Sequence, residues 1–142
     1  MTETELLEFL RSHHVAVQSS ISDRGTIQSA LVAVAFSDSF EIVFDTITTT
    51  RKTANLKANP HISLVIGGWI PGDERSVQYE GLADFPTGDE LQRIKNVYFH
   101  AVPDGIERQP WAGITYVRCK PTWIRFSNFN VTPPQIVEFA FP

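Results

Sequence analysis

Two runs of β-favouring residues, His14–Ser22 (HVAVQSSIS) and Thr26–Phe36 (TIQSALVAVAF), are joined through Ser22-Asp-Arg-Gly, and this junction constrains the fold most. Branched residues suit extended backbone, and Gly25 stands where a tight turn needs positive φ. The reading is a hairpin, and more strands follow it. In FEIVFDT, Phe40, Ile42 and Phe44 alternate with polar Glu41 and Asp45, the period of a half-buried strand. The apolar run of HISLVIGGW, from His61, suggests burial on both faces. SVQYEGLADF, from Ser76, is a further strand in which Gly81 marks a bulge or a close approach. GITYVRCKPTWIRFSNF, from Gly113, reads as two strand-like halves around Pro121, and the tail NVTPPQIVEFAFP shows little periodicity.

Helices are fewer. Thr2 with Glu5 three residues on is a capping-box pattern ahead of Leu6, Leu7, Phe9 and Leu10, so a helix is expected to about Ser12. A short helix begins at the Thr-Arg-Lys of residues 50–52 and stops at Pro60. Leu91, Ile94 and Val97–Tyr98 have helical spacing. The expected fold is mainly β: a small closed or split β-barrel of six or seven mostly antiparallel strands with two or three short helices. One long flat sheet of this size would leave exposed edges. At 142 residues the chain is expected to be one domain, 1–142.

Charge narrows the function classes. The net charge of −4 argues against a general nucleic-acid binder. Cys119 is the single cysteine, compatible with a reducing compartment. The acidic start MTETELLEFLRSHH lacks a signal-peptide apolar run, and no segment is long enough to span a bilayer, so a cytoplasmic protein is expected.

One segment departs from this background. From Thr46 to Gly72 the only charges are Arg51, Lys52 and Lys57, and no acid lies between Asp45 and Asp73. A helix start carries partial positive charge and favours acids, yet this one carries two cations. Free backbone N–H groups, the hydroxyls of Thr48, Thr49 and Thr50, a guanidinium and an ammonium together suit a phosphate dianion. The bland alternative is a Thr50 cap with both cations in water. His13, His14, His61 and His100 have no metal-ligand spacing, Cys119 reads as an inert core thiol, and GGWIPG fits no nucleotide-binding loop.

FEIVFDTITTTRKTANLKANPHISLVI, followed by ERSVQYEG, resembles the flavin-binding core of the pyridoxamine 5′-phosphate oxidase-like family of split β-barrels. The likeness runs over about residues 5–127 and is strongest from Phe40 to Gly81. It implies that Thr46 and the adjoining backbone, with Asp45 beside it, lie against the flavin ring or ribityl chain of FMN. It implies that Thr49, Thr50, Arg51 and Lys52 surround the 5′-phosphate. It implies a homodimer in which Ser76 reaches the partner's flavin. Members of the wider family bind FMN, a deazaflavin or haem, so the implied activity is an FMN-dependent oxidoreductase of unknown substrate, with a non-catalytic binding protein as the alternative. The chain also departs from the namesake oxidase. Ala30 and Ala35 stand near the places of an Arg and a Lys, Asp45 replaces a Tyr, and the late Arg-x-His is absent after Phe126. The expectation is a flavoprotein that does not oxidise pyridoxamine 5′-phosphate.

Overall fold

The computed structural model describes residues 1–142. The capping box forms as expected: the Thr2 side chain accepts from the Glu5 N–H, and Glu5 accepts from the Thr2 N–H. Helix α1 (Glu3–Arg11) follows and buries Leu6, Phe9 and Leu10. Strands β1 (Val15–Ile21) and β2 (Ile27–Ala33) form the hairpin, with Gly25 at φ 78°. The chain continues through β3 (Ala35–Phe36), β4 (Ile42–Ile47), α2 (Arg51–Ala58), β5 (His61–Gly67) and β6 (Arg75–Asp84). Helix α3 (Gly88–Ala101), a 3-10 turn (Pro103–Ile106), β7 (Ile114–Asn128) and β8 (Gln135–Ala140) complete it.

All strand pairs are antiparallel, in the order β2-β1-β5-β6-β7-β4-β3. The sheet curls into a split half-barrel that brings β2 back towards β4, with α2 against β1. β7 is the spine. β6 runs along one edge of it, while β4 and then β8 share the other. Long strands twist, and this one serves two partners in succession.

Four sequence expectations change. Pro121 does not divide β7, which is one strand of 15 residues. The register shift that accommodates it falls at Glu80/Gly81 on β6. A Cβ on Gly81 would lie 2.3 Å from the Lys120 carbonyl oxygen, so Gly81 serves both a bulge and a close approach. The tail, for all its little periodicity, contains a strand: β8 pairs with β7 from Asn128↔Gln135 to Trp123↔Ala140. β5 is not buried on both faces, because Ile62, Leu64 and Ile66 face in while His61, Ser63 and Val65 face out. Glu41 is buried, not surface-facing, and takes both terminal nitrogens of Arg93 at 3.0 Å.

β1 holds a reversal that matters for the site. Ala16, Gln18 and Ser20 point inward, whereas Val15, Val17 and Ile21 face outward or lie half-buried. The apolar phase of this strand is turned to the surface and its polar phase to the interior, against the usual pattern of a half-buried strand. Register places Leu31, Val17 and Val65 side by side on that outer face, with Leu31 68% and Val65 44% exposed.

Candidate functional site

β4 delivers the chain to the start of α2. Thr50 is the N-cap, with extended backbone and its Oγ1 accepting from the Thr53 N–H. That hydroxyl donates to the Ile47 carbonyl at 3.0 Å, as does Thr53 Oγ1 at 2.9 Å. Thr46 Oγ1 lies 3.1 Å from Thr50 Oγ1 and supplies the hydrogen that pair needs. The turn is thus tied down by three threonines, none of which the cap leaves idle. Thr48 and Thr49 are exposed and make no side-chain bond. α2 ends as expected before Pro60, with Asn59 Oδ1 accepting from the His61 N–H at 3.1 Å.

Against the first turn of α2 lies a cavity of about 170 Å³. β1 contributes Gln18 and Ser20, β2 contributes Gln28, Ser29 and Ala30, and the helix start contributes Thr50, Arg51 and Lys52. No carboxylate lines it. Arg11, Arg75, Arg93, Arg108, Arg118 and Arg125 all have acidic partners; Arg51 and Lys52 have none, and neither do Arg24, Lys57, Lys95 and Lys120, but of these six only Arg51 and Lys52 line this cavity. The helix has no acid in its first turn either. Burial lowers the pKa of Lys52, partly opposed by the charge of Asp45. A half-buried ammonium with no counter-ion beside free helix N–H groups is a site of uncompensated positive charge.

The wall opposite is polar although deep. Gln18 and Ser20 are each 1% exposed. Asn55, on the buried face of α2, donates to Ser20 Oγ at 3.0 Å and to Gln28 Oε1 at 2.9 Å. Gln18 Oε1 finds no partner within the protein. Buried polar atoms are rarely left so, because the cost is about 1–3 kcal/mol each. The donor set and the orphaned amide fit a ligand that carries both a phosphate and a hydroxyl.

The structure brings together only part of the expected set. Thr46, Thr50, Arg51 and Lys52 cluster at the helix start, with Thr49 on the turn. Asp45 faces the other side of β4, where its carboxylate accepts from Arg108 Nε at 2.8 Å and from the Tyr98 hydroxyl at 3.0 Å. Its charge is therefore compensated and does not line the cavity. Ser76 pairs with Gly67 and Ser127 at the far end of β6, outside the cavity of its own chain. Of the two alanine departures, Ala30 lines the cavity, whereas Ala35 is buried in β3. Gln18, Gln28 and Asn55 escaped the sequence reading. The signal was the polar phase of VAVQSSI, which a strand reading assigns to solvent.

Elsewhere, a larger cavity of about 690 Å³ lies between α1, β3 and α3, lined by His13, His14, His100, Arg11 and Asn96 among others. No three His, Cys, Asp or Glu residues in the chain stand close enough to hold a metal ion. Cys119 is buried, and desolvation pushes its thiol well above the usual range. No helix is long and apolar enough to cross a membrane.

Solved structures share this fold at low identity. A haem-binding protein from Mycobacterium smegmatis superposes with a TM-score of 0.82 at 15% identity, covering 99% of this chain and 58% of that one. General Stress Protein 26 from Bacillus anthracis gives 0.72 at 16% identity, covering 96% of this chain and 98% of that one. ChuZ from Campylobacter jejuni gives 0.79 at 14%, covering 97% of this chain and 58% of that one. The chain thus spans little more than half of the haem-binding protein and nearly all of the stress protein. No curated protein matches it in sequence. The family model described as pyridoxamine 5′-phosphate oxidase matches residues 2–128, including the whole α2 site and every strand but the last. The chain belongs to the pyridoxamine 5′-phosphate oxidase-like family.

Proposed function

We propose that the protein is an FMN-binding flavoprotein and an oxidoreductase whose substrate is not the namesake's. One observation carries this reading: Arg51 and Lys52 stand unpaired at an acid-free helix start, facing a cavity without a carboxylate. The phosphate of FMN would be held by Arg51, Lys52 and the α2 N–H groups, with Gln18 and Ser20 beneath. A bound flavin supplies hydride or electron transfer, so the protein's part is to bind, orient and shield it.

The cavity volume bears on assembly. Small-molecule sites usually occupy about 300–1,000 Å³, and 170 Å³ accommodates only the phosphate end. The rest of the ligand needs further walls, and a second copy of the chain is the source we favour. The outward apolar row Leu31, Val17 and Val65 supports a homodimer, as do exposed Trp69 and Ile70 in the β5–β6 loop. Ser76 follows that loop and would enter the partner's site.

The namesake's substrate is disfavoured by the tail. β8 carries Glu138, which is bonded to Arg125, the nearby cation, so no free cation remains there for a second phosphate. A second reading, haem binding without turnover, rests on the likeness to the haem-binding protein from Mycobacterium smegmatis and on the histidine-lined cavity. The absorption spectrum of the purified protein separates the two, since flavin and haem absorb differently. With FMN loaded, anaerobic mixing with pyridoxamine 5′-phosphate, NADH or NADPH tests turnover. Rapid reduction by pyridoxamine 5′-phosphate would overturn the substrate assignment, and no reduction by any donor would leave a binding protein.

A further inference from the structure

We propose that Gln18 and Ser20 make this site selective for phosphate esters of polyols, by holding a ligand hydroxyl next to the phosphate. The inference deepens the flavin reading and rests on the same cavity. Three features of the inner wall lead to it. Gln18 is 1% exposed, lines the cavity, and its Oε1 has no protein donor. Ser20 Oγ accepts from Asn55 Nδ2, which leaves its own hydrogen without a protein acceptor. Both residues belong to the polar phase of β1, which faces inward while Val15 and Val17 face out.

The chemistry follows from which groups are left open. A phosphate monoester dianion offers acceptors only, and these suit Arg51, Lys52, the α2 N–H groups and the Ser20 hydroxyl. It offers no donor to an amide oxygen. A hydroxyl on the adjoining carbon chain offers both, so it satisfies Gln18 Oε1 and joins the network that Asn55 organises. A haem carboxylate, or a phosphate monoester dianion whose carbon chain bears no hydroxyl, leaves the amide oxygen unpaired. The strand is therefore turned polar-side-in for recognition, at a cost to the apoprotein that an apolar residue would remove.

The test replaces Gln18 by Met, a side chain of similar length without hydrogen-bonding atoms. Calorimetric titration with ribitol 5-phosphate, methyl phosphate, FMN and riboflavin is run on wild type and Gln18→Met at about pH 8, where phosphate monoesters are dianions without a hydrogen to donate, with apoprotein melting temperatures beside it. Wild type is expected to bind ribitol 5-phosphate more tightly than methyl phosphate. In Gln18→Met that margin shrinks about three- to tenfold, the loss of one neutral hydrogen bond, while methyl phosphate binds unchanged. FMN and riboflavin weaken by the same factor, and the apoprotein melts no lower than wild type. A structural glutamine would behave otherwise: the variant would melt lower with its ligand preferences intact, and the proposal fails. Loss for FMN and methyl phosphate but not riboflavin would put the amide on the phosphate, which also overturns it. Equal binding of ribitol 5-phosphate and methyl phosphate by wild type does the same. A wild type that prefers the polyol phosphate yet binds no flavin refutes the flavin reading alone.

Discussion

Removing the two helix-start cations one at a time gives the sharpest test of the proposed phosphate site. Arg51 is exposed and Lys52 half-buried, so their contributions should differ although each carries one charge. A hydrogen bond to a charged group contributes about 1.5–3 kcal/mol, less where solvent screens it. Arg51→Ala is therefore expected at the low end, about tenfold weaker FMN binding, and Lys52→Met at the high end, towards about a hundredfold. Riboflavin lacks the phosphate and should change less than about twofold in either variant. The same Lys52 leaves a signature without ligand. Burial holds its pKa below 10.5, so folding disfavours its charged form. The unfolded chain then binds more protons between the folded and unfolded pKa values, and stability rises with pH through that alkaline window. Lys52→Met should abolish that rise and stabilise the apoprotein. The assay is flavin fluorescence titration, paired with thermal melts across alkaline pH. Equal losses for FMN and riboflavin would refute the assignment of these cations to the phosphate.

Other outcomes follow from the packing. Gly81→Ala places a Cβ 2.3 Å from the Lys120 carbonyl oxygen and 3.0 Å from the Tyr79 ring, so β6 and β7 must part. Overpacking of this kind costs about 3 kcal/mol, and a melt that matches wild type would contradict the close approach. In acid, Glu41 is pushed up by burial but held below 4.5 overall by bonds from Arg93 and Ser37, and Arg93 lowers Glu90 to about 2. Their contribution is full above pH about 4.5 and is lost as pH falls towards 2. Arg93→Met removes two bonds from the buried Glu41 carboxylate and leaves it Arg118 at 3.7 Å with the Ser37 and Ser39 hydroxyls; because Arg93 is itself 42% exposed, a loss of about 1–2 kcal/mol at neutral pH that shrinks on mild acidification is expected in chemical denaturation. Arg108→Ala bares Asp45, and FMN binding should weaken most at low salt; salt-independent binding would show that Asp45 is too distant to matter. Sedimentation should give a dimer that Leu31→Glu dissociates with loss of flavin, and a monomer holding full flavin would refute the shared site.

The local rules were legible in the chain itself. The capping box at Thr2 and Glu5, the turn at Gly25 and the stop at Pro60 each depend on residues close in sequence, or on a backbone that glycine tolerates best, whereas the need for glycine at 81 comes from the Lys120 carbonyl across the sheet. The uncompensated charge of Arg51 and Lys52 was likewise visible, because it is a property of composition over a short segment. Tertiary structure alone decided what faces those cations. Which side of β1 points inward is fixed by its pairing with β2 and β5, and that register turned Gln18 and Ser20 towards α2 against the hydrophobic pattern. The partner of Asp45 came from Arg108, 63 residues away, beyond any local rule. The strand character of the tail depended on the edge of β7 that β4 leaves free, an opening that exists only once the sheet has curled. Sequence determines the conformations that neighbouring residues impose on one another; long-range pairing determines which groups are left unpaired, and so where a ligand can bind.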